Sequence, residues 1–226
     1  MSFLSFFKGY KNFAIFFSIL CVIIILIIYN TLNVKPPLPV YQPAMVSEEL
    51  VDSTIQHKAK YHKIADFSLT NQNGETITQK NYKDKIYVAD FFFTTCQTIC
   101  PIMTDHMYKI QQEIINDDDI MLLSHSVTPI IDSVPQLKKY AKEKGVIDRK
   151  WNLVTGDKKQ IYALARKSYL AVKTDGNGDE YDMIHTENFM LIDKKQQIRG
   201  FYDGTQPEDI KRLLKDIETL KYFGGS

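Results

Sequence analysis

The sequence predicts an α/β domain, an αβα sandwich built on a mixed sheet, with an added N-terminal β-hairpin and one transmembrane helix before it. Three observations support this prediction. A long apolar run lies near the N-terminus, a second apolar run has the length of a buried strand, and strand-like and helix-like segments then alternate along the chain. Such alternation is typical of sheets covered by helices.

The 226 residues leave room for one membrane anchor and one domain of ordinary size. The 28 lysines and arginines nearly balance the 27 aspartates and glutamates, so the basic field that attracts nucleic acid is missing. We therefore expect no nucleic-acid partner. Three cysteines are also too few for the disulfide framework of a small secreted domain.

The N-terminal apolar run spans residues 13–29 and contains a single conventional polar residue. As a helix it would be about 25 Å long, near the lower limit for crossing a bilayer. Lys8 and Lys11 precede the run and the next lysine is Lys35, an asymmetry that places residues 1–12 in the cytoplasm. No small-x-small cleavage site follows, which favours an uncleaved anchor. We expect a single-pass protein of the inner (cytoplasmic) membrane with its soluble domain on the extracytoplasmic, periplasmic side.

Residues 30–62 contain four prolines and are predicted to form an extended linker. The domain is then predicted over residues 63–226. Its first element is a hairpin, because apolar and polar residues alternate on both sides of Asn73-Gly74, a dipeptide that favours a tight turn.

The segment from Lys85 to Phe93 is almost continuously apolar and rich in β-branched and aromatic residues, which is typical of a strand buried on both faces. A helix follows, with Pro101 in its first turn and apolar residues at helical spacing as far as Ile114. The remaining predicted elements are strand 120–126, helix 134–144, strand 151–154, helix 158–169, strands 189–193 and 197–202, and a last helix from Pro207. Right-handed crossovers would bring the parallel strands into one sheet.

Cys96 and Cys100 lie where the buried strand gives way to the helix, and they are the only cysteines outside the apolar run. The amides and dipole of a helix N-terminus lower the pKa of a nearby thiol, which favours the thiolate that binds metals or attacks disulfides. On a helix, a separation of four residues places the two sulfurs about 40° apart, near enough to hold one ion or to form a disulfide. The spacing does not choose between these chemistries.

The segment FFFTTCQTICPIM, with the single histidine of the downstream segment YDMIHTENFMLID, resembles the Sco/SenC family of copper-binding assembly factors. The resemblance covers about residues 62–226 and the anchor. It implies a thioredoxin-like fold, one copper ion per domain as Cu(I) or Cu(II), and a role in assembling the binuclear copper centre of cytochrome c oxidase. By motif position it implies that the metal ligands are Cys96, Cys100 and His185.

The partners implied by the resemblance are the copper-bearing subunit of cytochrome c oxidase and an upstream copper donor or thiol reductant. Two thiolates and one imidazole form a soft ligand set that suits Cu(I) and accommodates Cu(II), although zinc accepts the same atoms. The chain departs from the family at Gln97, where many members have proline, and at Ile184, where an aspartate is common. Asp182 is a candidate to replace that carboxylate beside the ligand.

The other histidines are predicted to have no metal-binding role. His57 and His62 should be solvated residues of the linker or the domain edge. His106 should point away from the sulfurs and lie at the surface, and His125 should be a satisfied residue at a sheet edge. Met103 and Met107 carry thioethers that bind Cu(I) well. Apolar residues follow them at helical spacing on the same face of the predicted helix, which favours packing in the core.

The main alternative is a membrane-anchored thiol-disulfide oxidoreductase that reduces the oxidase copper-site cysteines, with Cys96 and Cys100 as its redox pair. Thioredoxin-type enzymes have two residues between their cysteines and a cis-proline facing them. This chain has three residues between its cysteines and no proline between Pro135 and Pro207. The sequence therefore favours metal capture over an enzymatic role. A copper or redox sensor without transfer activity shares every motif and stays open.

Overall fold

The computed structural model of the chain describes residues 10–32, 37–47, 51, 54–172, 184 and 186–223. Its contacts divide the chain after Pro36 into two compact units. The first unit contains helix α1 (Lys11–Leu32), and the second contains the sheet and the other helices.

Helix α1 includes the whole apolar run of residues 13–29. Its apolar side chains are exposed around the helix, among them Phe16 (65% exposed) and Ile25 (62%). Across the described ranges, no helix combines the length and the apolarity that crossing a membrane requires, so the transmembrane assignment of this run finds no support here.

The second unit is built on one mixed sheet, whose described strands number seven and run in the order β2-β1-β5-β4-β3-β6-β7. The strands are β1 (Ser68–Asn71), β2 (Thr76–Thr78), β3 (Ile86–Phe92), β4 (Ile120–Ser126), β5 (Trp151–Thr155), β6 (Asn188–Ile192) and β7 (Ile198–Asp203). The three central strands, β3, β4 and β5, are parallel, and an antiparallel hairpin lies on each side of them. The predicted mixed sheet is confirmed.

The helices of this unit are α2 (Ile99–Glu113), α3 (Val134–Glu143), α4 (Lys158–Ala163) and α5 (Pro207–Phe223). The sequence predicts one α-helix over residues 158–169, but α4 continues as a π-helical segment, Leu164–Ser168. The turn widens there because the N–H of Tyr169 donates to the carbonyl of Leu164, five residues back, at 2.8 Å.

Buried side chains form two clusters, one on each face of the sheet. Successive residues of a strand point to opposite faces, and along β3 Ala89 and Phe91 belong to one cluster while Val88 and Phe92 belong to the other. The cluster of Val88 also contains side chains of α2, α3 and α5, whereas the cluster of Ala89 contains those of α4. Helices therefore cover both faces, and the predicted αβα sandwich is confirmed.

The predicted hairpin at the start of the domain is present as β1 and β2. Gly74 adopts a φ of 79°, a conformation that glycine reaches at little cost. The side-chain oxygen of Asn71 accepts hydrogen bonds from the N–H groups of Asn73 and Glu75, both at 2.9 Å. The turn is thus held by its own side chain, as Asx turns are.

Strand β3 fixes the position of the cysteines. All seven of its residues are buried, as the continuous apolar run predicts. It pairs in parallel with β4 from Ile86 opposite Ile120 to Phe92 opposite Ser126. The carboxyl ends of the two strands therefore meet at one edge of the sheet, and the loops that follow them are neighbours.

The compact unit begins at Pro37, upstream of the predicted domain start at residue 63. The N–H of Tyr41 donates to the carbonyl of Ile198 at 2.8 Å, and the Tyr41 ring meets Phe201 edge to face at 5.2 Å. The guanidinium of Arg199 donates to the carbonyl of Pro39 at 3.0 Å. Part of the segment predicted as a linker thus packs beside β7.

Candidate metal centre

Cys96 lies in the turn between β3 and α2, and the helix begins at Ile99. The helical separation of 40° between the two sulfurs, expected from the sequence, is therefore wrong. The Sγ of Cys96 instead accepts a hydrogen bond from the backbone N–H of Cys100 at 3.4 Å. Pro101 follows and has no N–H. The sulfur thus satisfies one of the donors that the first turn of a helix leaves without a partner.

The two cysteines are both free and differ in exposure. Cys96 is half-buried, while Cys100 is only 3% exposed and lies in the cluster that also contains Phe92 and Met103. A partner that approaches the pair from solvent therefore meets Cys96 before Cys100.

The pKa values of the two thiols move in opposite directions. Burial acts to raise the pKa of Cys96, but hydrogen bonds from the Cys100 thiol, from the backbone N–H groups of Thr98 and Cys100, and from the Thr98 side chain together lower it to about 7. Burial raises the pKa of Cys100 to about 12, and its hydrogen bond to Cys96 adds to this effect. The pair holds a partly exposed thiolate above a buried, protonated thiol.

This arrangement has two chemical uses. Two adjacent sulfurs are donors for a soft metal ion. A thiolate with a pKa near 7 is also the nucleophile that thiol-disulfide exchange requires, and the buried thiol can resolve the mixed disulfide. The geometry of the pair is compatible with both.

Asp90 on β3 is a residue near the pair that the sequence reasoning missed. It is 2% exposed, and burial raises its pKa to about 7 against the opposing effect of a hydrogen bond with Ser124. Its negative charge contributes to the raised pKa of Cys100. The signal available in the sequence was an acidic residue inside an otherwise apolar strand.

His185 and Asp182 lie outside the described residues, so the three-ligand site stays a prediction. Of the neighbours of His185, Ile184 is buried, and the hydroxyl of Thr186 donates to the carbonyl of Ala171 at 2.9 Å. In the part of the chain that the structure describes, no three or more histidine, cysteine, aspartate or glutamate side chains are grouped so as to hold a metal ion.

Two of the other histidines were wrongly predicted to be solvated. His62 is 8% exposed, and its Nε2 lies 2.7 Å from the carbonyl of Ser168. His106 is 6% exposed, and its Nδ1 lies 2.7 Å from the carbonyl of Gly204. Both are covered because elements distant in sequence pack over them, which local spacing does not reveal.

His125 does not lie at a sheet edge, since β4 is flanked by β3 and β5. It is fully buried, and its Nδ1 lies 3.2 Å from the carbonyl of Asp90. Its Nε2 and the Oδ1 of Asp90 are the two buried side-chain atoms within the described ranges that have no hydrogen-bond partner. Burial lowers the pKa of His125 to about 4, so the ring stays neutral.

Met103 and Met107 are both 0% exposed and pack in the cluster beneath α2. The prediction that they belong to the core is confirmed.

Alkylation kinetics test the asymmetry of the thiols. In metal-free, reduced protein, iodoacetamide should modify Cys96 at a rate that rises with pH through a midpoint of about 7, because only the thiolate reacts. Cys100 should stay unmodified at neutral pH. Tandem mass spectrometry of the peptide locates the modification. Equal labelling of both residues, or a midpoint at the ordinary cysteine value of about 8.5, would contradict the described environment.

Comparison with known proteins identifies relatives over the whole sheet. The SCO1/SenC family model matches residues 55–221. The SCO1 protein homolog of Bacillus subtilis is 32% identical over 165 residues, which cover 71% of this chain and 85% of that protein. The chain spans less of the other curated relatives: the match covers 43% of the length of the Arabidopsis thaliana protein and 58% of the length of the Schizosaccharomyces pombe protein.

Solved structures share the fold. BsSco, described as a member of the Sco family of cytochrome c oxidase assembly proteins with a disulfide switch, is 29% identical, with a TM-score of 0.59 over 70% of this chain and 92% of that chain. Arabidopsis thaliana ScoI, solved with copper bound, is 28% identical, with a TM-score of 0.54 over 68% of this chain and 97% of that chain. By the family match and the Bacillus relative, this chain belongs to the SCO1/SenC family and has its thioredoxin-like fold.

Proposed function

We propose that this protein binds one copper ion through Cys96, Cys100 and His185 and delivers it to the copper-bearing subunit of cytochrome c oxidase. The observation that carries the proposal is the pairing of the two sulfurs at the start of α2, where Cys96 accepts a hydrogen bond from the N–H of Cys100. Copper in the solved Arabidopsis relative and the oxidase-assembly role of the Sco family described for BsSco support it.

The donor chemistry fits copper as cargo. Thiolate sulfur is a soft ligand that prefers Cu(I), and an imidazole completes a set that also accepts Cu(II). Cys96 is already held near its thiolate form, whereas Cys100 must lose its proton to become a ligand. Loading should therefore release a proton from Cys100, and a recipient should engage the site from the exposed side of Cys96.

Location on the extracytoplasmic side of the inner membrane is part of the proposal. Its support is the lysine asymmetry around residues 13–29 and the exposed apolar surface of α1. Alkylation of intact cells with a membrane-impermeant maleimide tests it, because Cys96 should then be labelled. Labelling that requires permeabilised membranes would place the domain in the cytoplasm.

A second candidate function has an observation in its favour. The thiolate of Cys96 above the protonated thiol of Cys100 is the arrangement of a nucleophile and a resolving thiol. A disulfide switch is also described for BsSco. In this alternative, the protein reduces the copper-site cysteines of the oxidase and the metal is delivered by another protein.

A transfer experiment separates the two functions. The protein loaded with Cu(I) is mixed with a reduced, metal-free copper domain of cytochrome c oxidase, and copper and free thiols are measured in each protein after separation. We expect copper to move while the thiol count of the recipient stays constant. In a second reaction the metal-free, reduced protein is mixed with the recipient oxidised to its disulfide, so that Cys96 and Cys100 can supply the two electrons. Thiol appearance in the recipient of the second reaction, with no copper movement in the first, would favour the oxidoreductase.

A further inference from the structure

The surface around Cys96 is formed by two loops that lie side by side. One follows β3 and carries Cys96, and the other, residues 127–132, joins β4 to α3. The backbone N–H of Val127 donates to the carbonyl of Phe92 at 2.9 Å, and the hydroxyl of Thr94 donates to the carboxylate of Asp132 at 2.5 Å. A protein that reaches the Sγ of Cys96 therefore also faces the second loop.

The loop of residues 127–132 exposes two isoleucines. Ile130 is 82% exposed and Ile131 is 54% exposed. Among the described residues, the two core clusters include neither of them. The N–H groups of Ile131 and Asp132 both donate to the carbonyl of Thr128 at 2.9 Å, so this loop forms a turn, where small and polar residues are usual. Packing of the domain therefore gives no reason for two large apolar side chains at this position.

The two loops also lack charge, although 24% of the residues in the chain are charged. No aspartate, glutamate, lysine or arginine occurs in residues 91–104 or in residues 120–131. The opposite end of β3 and β4 differs, because Asp119 pairs there with Lys85 at 3.7 Å and with Lys194 at 2.6 Å. The uncharged surface thus lies at the end of the sheet that carries the cysteines.

An exposed apolar surface that is depleted of charge has the composition of the centre of a protein–protein interface. A bilayer also attracts exposed apolar side chains, but membrane-binding surfaces usually add lysine and arginine, which both segments lack. Cargo held by Cys96 leaves through contact with the ligands of a recipient. The recipient must therefore cover the surface beside Cys96 during transfer.

We propose that Ile130 and Ile131 form the docking surface for the protein that receives copper from Cys96, and that the matching surface of this recipient is apolar and uncharged. The inference rests on the proposed function for the identity of the occupant, which is the copper-bearing subunit of cytochrome c oxidase. It adds residues that recognise the recipient without binding the metal.

The test is a titration that contains no metal. A fluorescently labelled, reduced copper domain of cytochrome c oxidase is titrated with the metal-free, reduced full-length protein in detergent, and fluorescence anisotropy gives the Kd. The double substitution Ile130→Ser, Ile131→Ser should weaken binding by at least about tenfold, because side chains at the centre of an interface carry most of the binding energy. Ile131→Asp should weaken it further, since docking would bury an unpaired charge.

A matched control is Tyr61→Ser. Tyr61 is 88% exposed, and its neighbour His62 contacts the carbonyl of Ser168, in the segment that covers the other face of the sheet from α2. This variant should bind the recipient with an unchanged Kd. Competition with a chromophoric Cu(I) chelator should give the same copper affinity for all of these variants, and unfolding in urea checks that each is folded.

An unchanged Kd in both isoleucine variants would overturn the proposal, as would the absence of any binding by the unsubstituted protein. Ile130→Trp tests the bilayer as the occupant, because Trp151, the single tryptophan of the chain, is only 1% exposed. Quenching of the added fluorescence by brominated phosphatidylcholine in vesicles would assign the surface to lipid and also overturn the proposal. A failure of copper binding would contradict the proposed function while leaving the result of the metal-free titration unaffected.

Discussion

Replacing Cys100 with serine in the full-length protein should weaken copper binding by more than about a hundredfold. Loss of a group that merely supports a metal ligand typically costs about 10–100-fold in affinity, and Cys100 is proposed to be a ligand itself. Serine keeps the size of the side chain but offers a hard oxygen donor that suits Cu(I) poorly. Competition with a chromophoric Cu(I) chelator measures the affinity, and native mass spectrometry counts the bound ions.

Controls for this prediction come from the chain itself. Cys21→Ser removes the cysteine of α1 and should leave copper binding unchanged. His185→Ala should weaken binding strongly, whereas His57→Ala, at an exposed histidine, should have no effect. Stoichiometry and affinity unaffected by His185→Ala would reject the three-ligand site while leaving a site made by the cysteine pair.

Shortening Met107 to alanine should lower the free energy of unfolding by about 2–5 kcal/mol, the usual cost of truncating a large core side chain. Met107 is 0% exposed on α2, the helix that carries Cys100, and it packs in the cluster beneath that helix. The resulting cavity removes contacts that hold the helix to the sheet. Urea unfolding followed by circular dichroism measures the loss.

Met107→Leu is the matched variant, because it keeps the volume and removes the sulfur. Volume-conserving swaps in cores usually cost less than about 1.5 kcal/mol. If Met107 is a core residue, the leucine variant should bind one copper ion with unchanged affinity. A leucine variant that is stable but binds copper more weakly would make the thioether of Met107 a ligand instead.

The sequence predicted the elements with strong local signals. The run of β3 is continuously apolar because both faces of a central parallel strand are buried, and the hairpin turn at Asn73-Gly74 has its own backbone and side-chain chemistry. The π-helical segment 164–168 and the packing of residues 37–47 were not predictable in this way. Residues 37–47 contact β7, which is distant in sequence, and Ser168 of the π-helical segment hydrogen-bonds His62 and Ala65.

The candidate site also combines features that the sequence predicts with features that it does not. Helix-terminal chemistry predicted a lowered thiol pKa at both cysteines. The prediction is confirmed at Cys96 but wrong at Cys100, where burial raises the pKa, and the assumption that Cys96 is helical was also wrong. Asp132 lies just before α3, a position at which aspartate is typical of a helix cap. Its carboxylate instead accepts the hydroxyls of Ser126 and Thr128 and that of Thr94, which the parallel register of β3 and β4 brings near.

The contacts of residues 37–42 with β7 have a consequence for self-association. An open sheet can polymerise by adding strands from other molecules at its margins. At the edge strand β7, the chain's own Tyr41 contacts Ile198 and its Pro39 contacts Arg199. The opposite edge strand, β2, is only three residues long. Within the described ranges, the start of β7 is covered by the chain itself and β2 is short, so both edges of the sheet are poor templates for a strand from another copy.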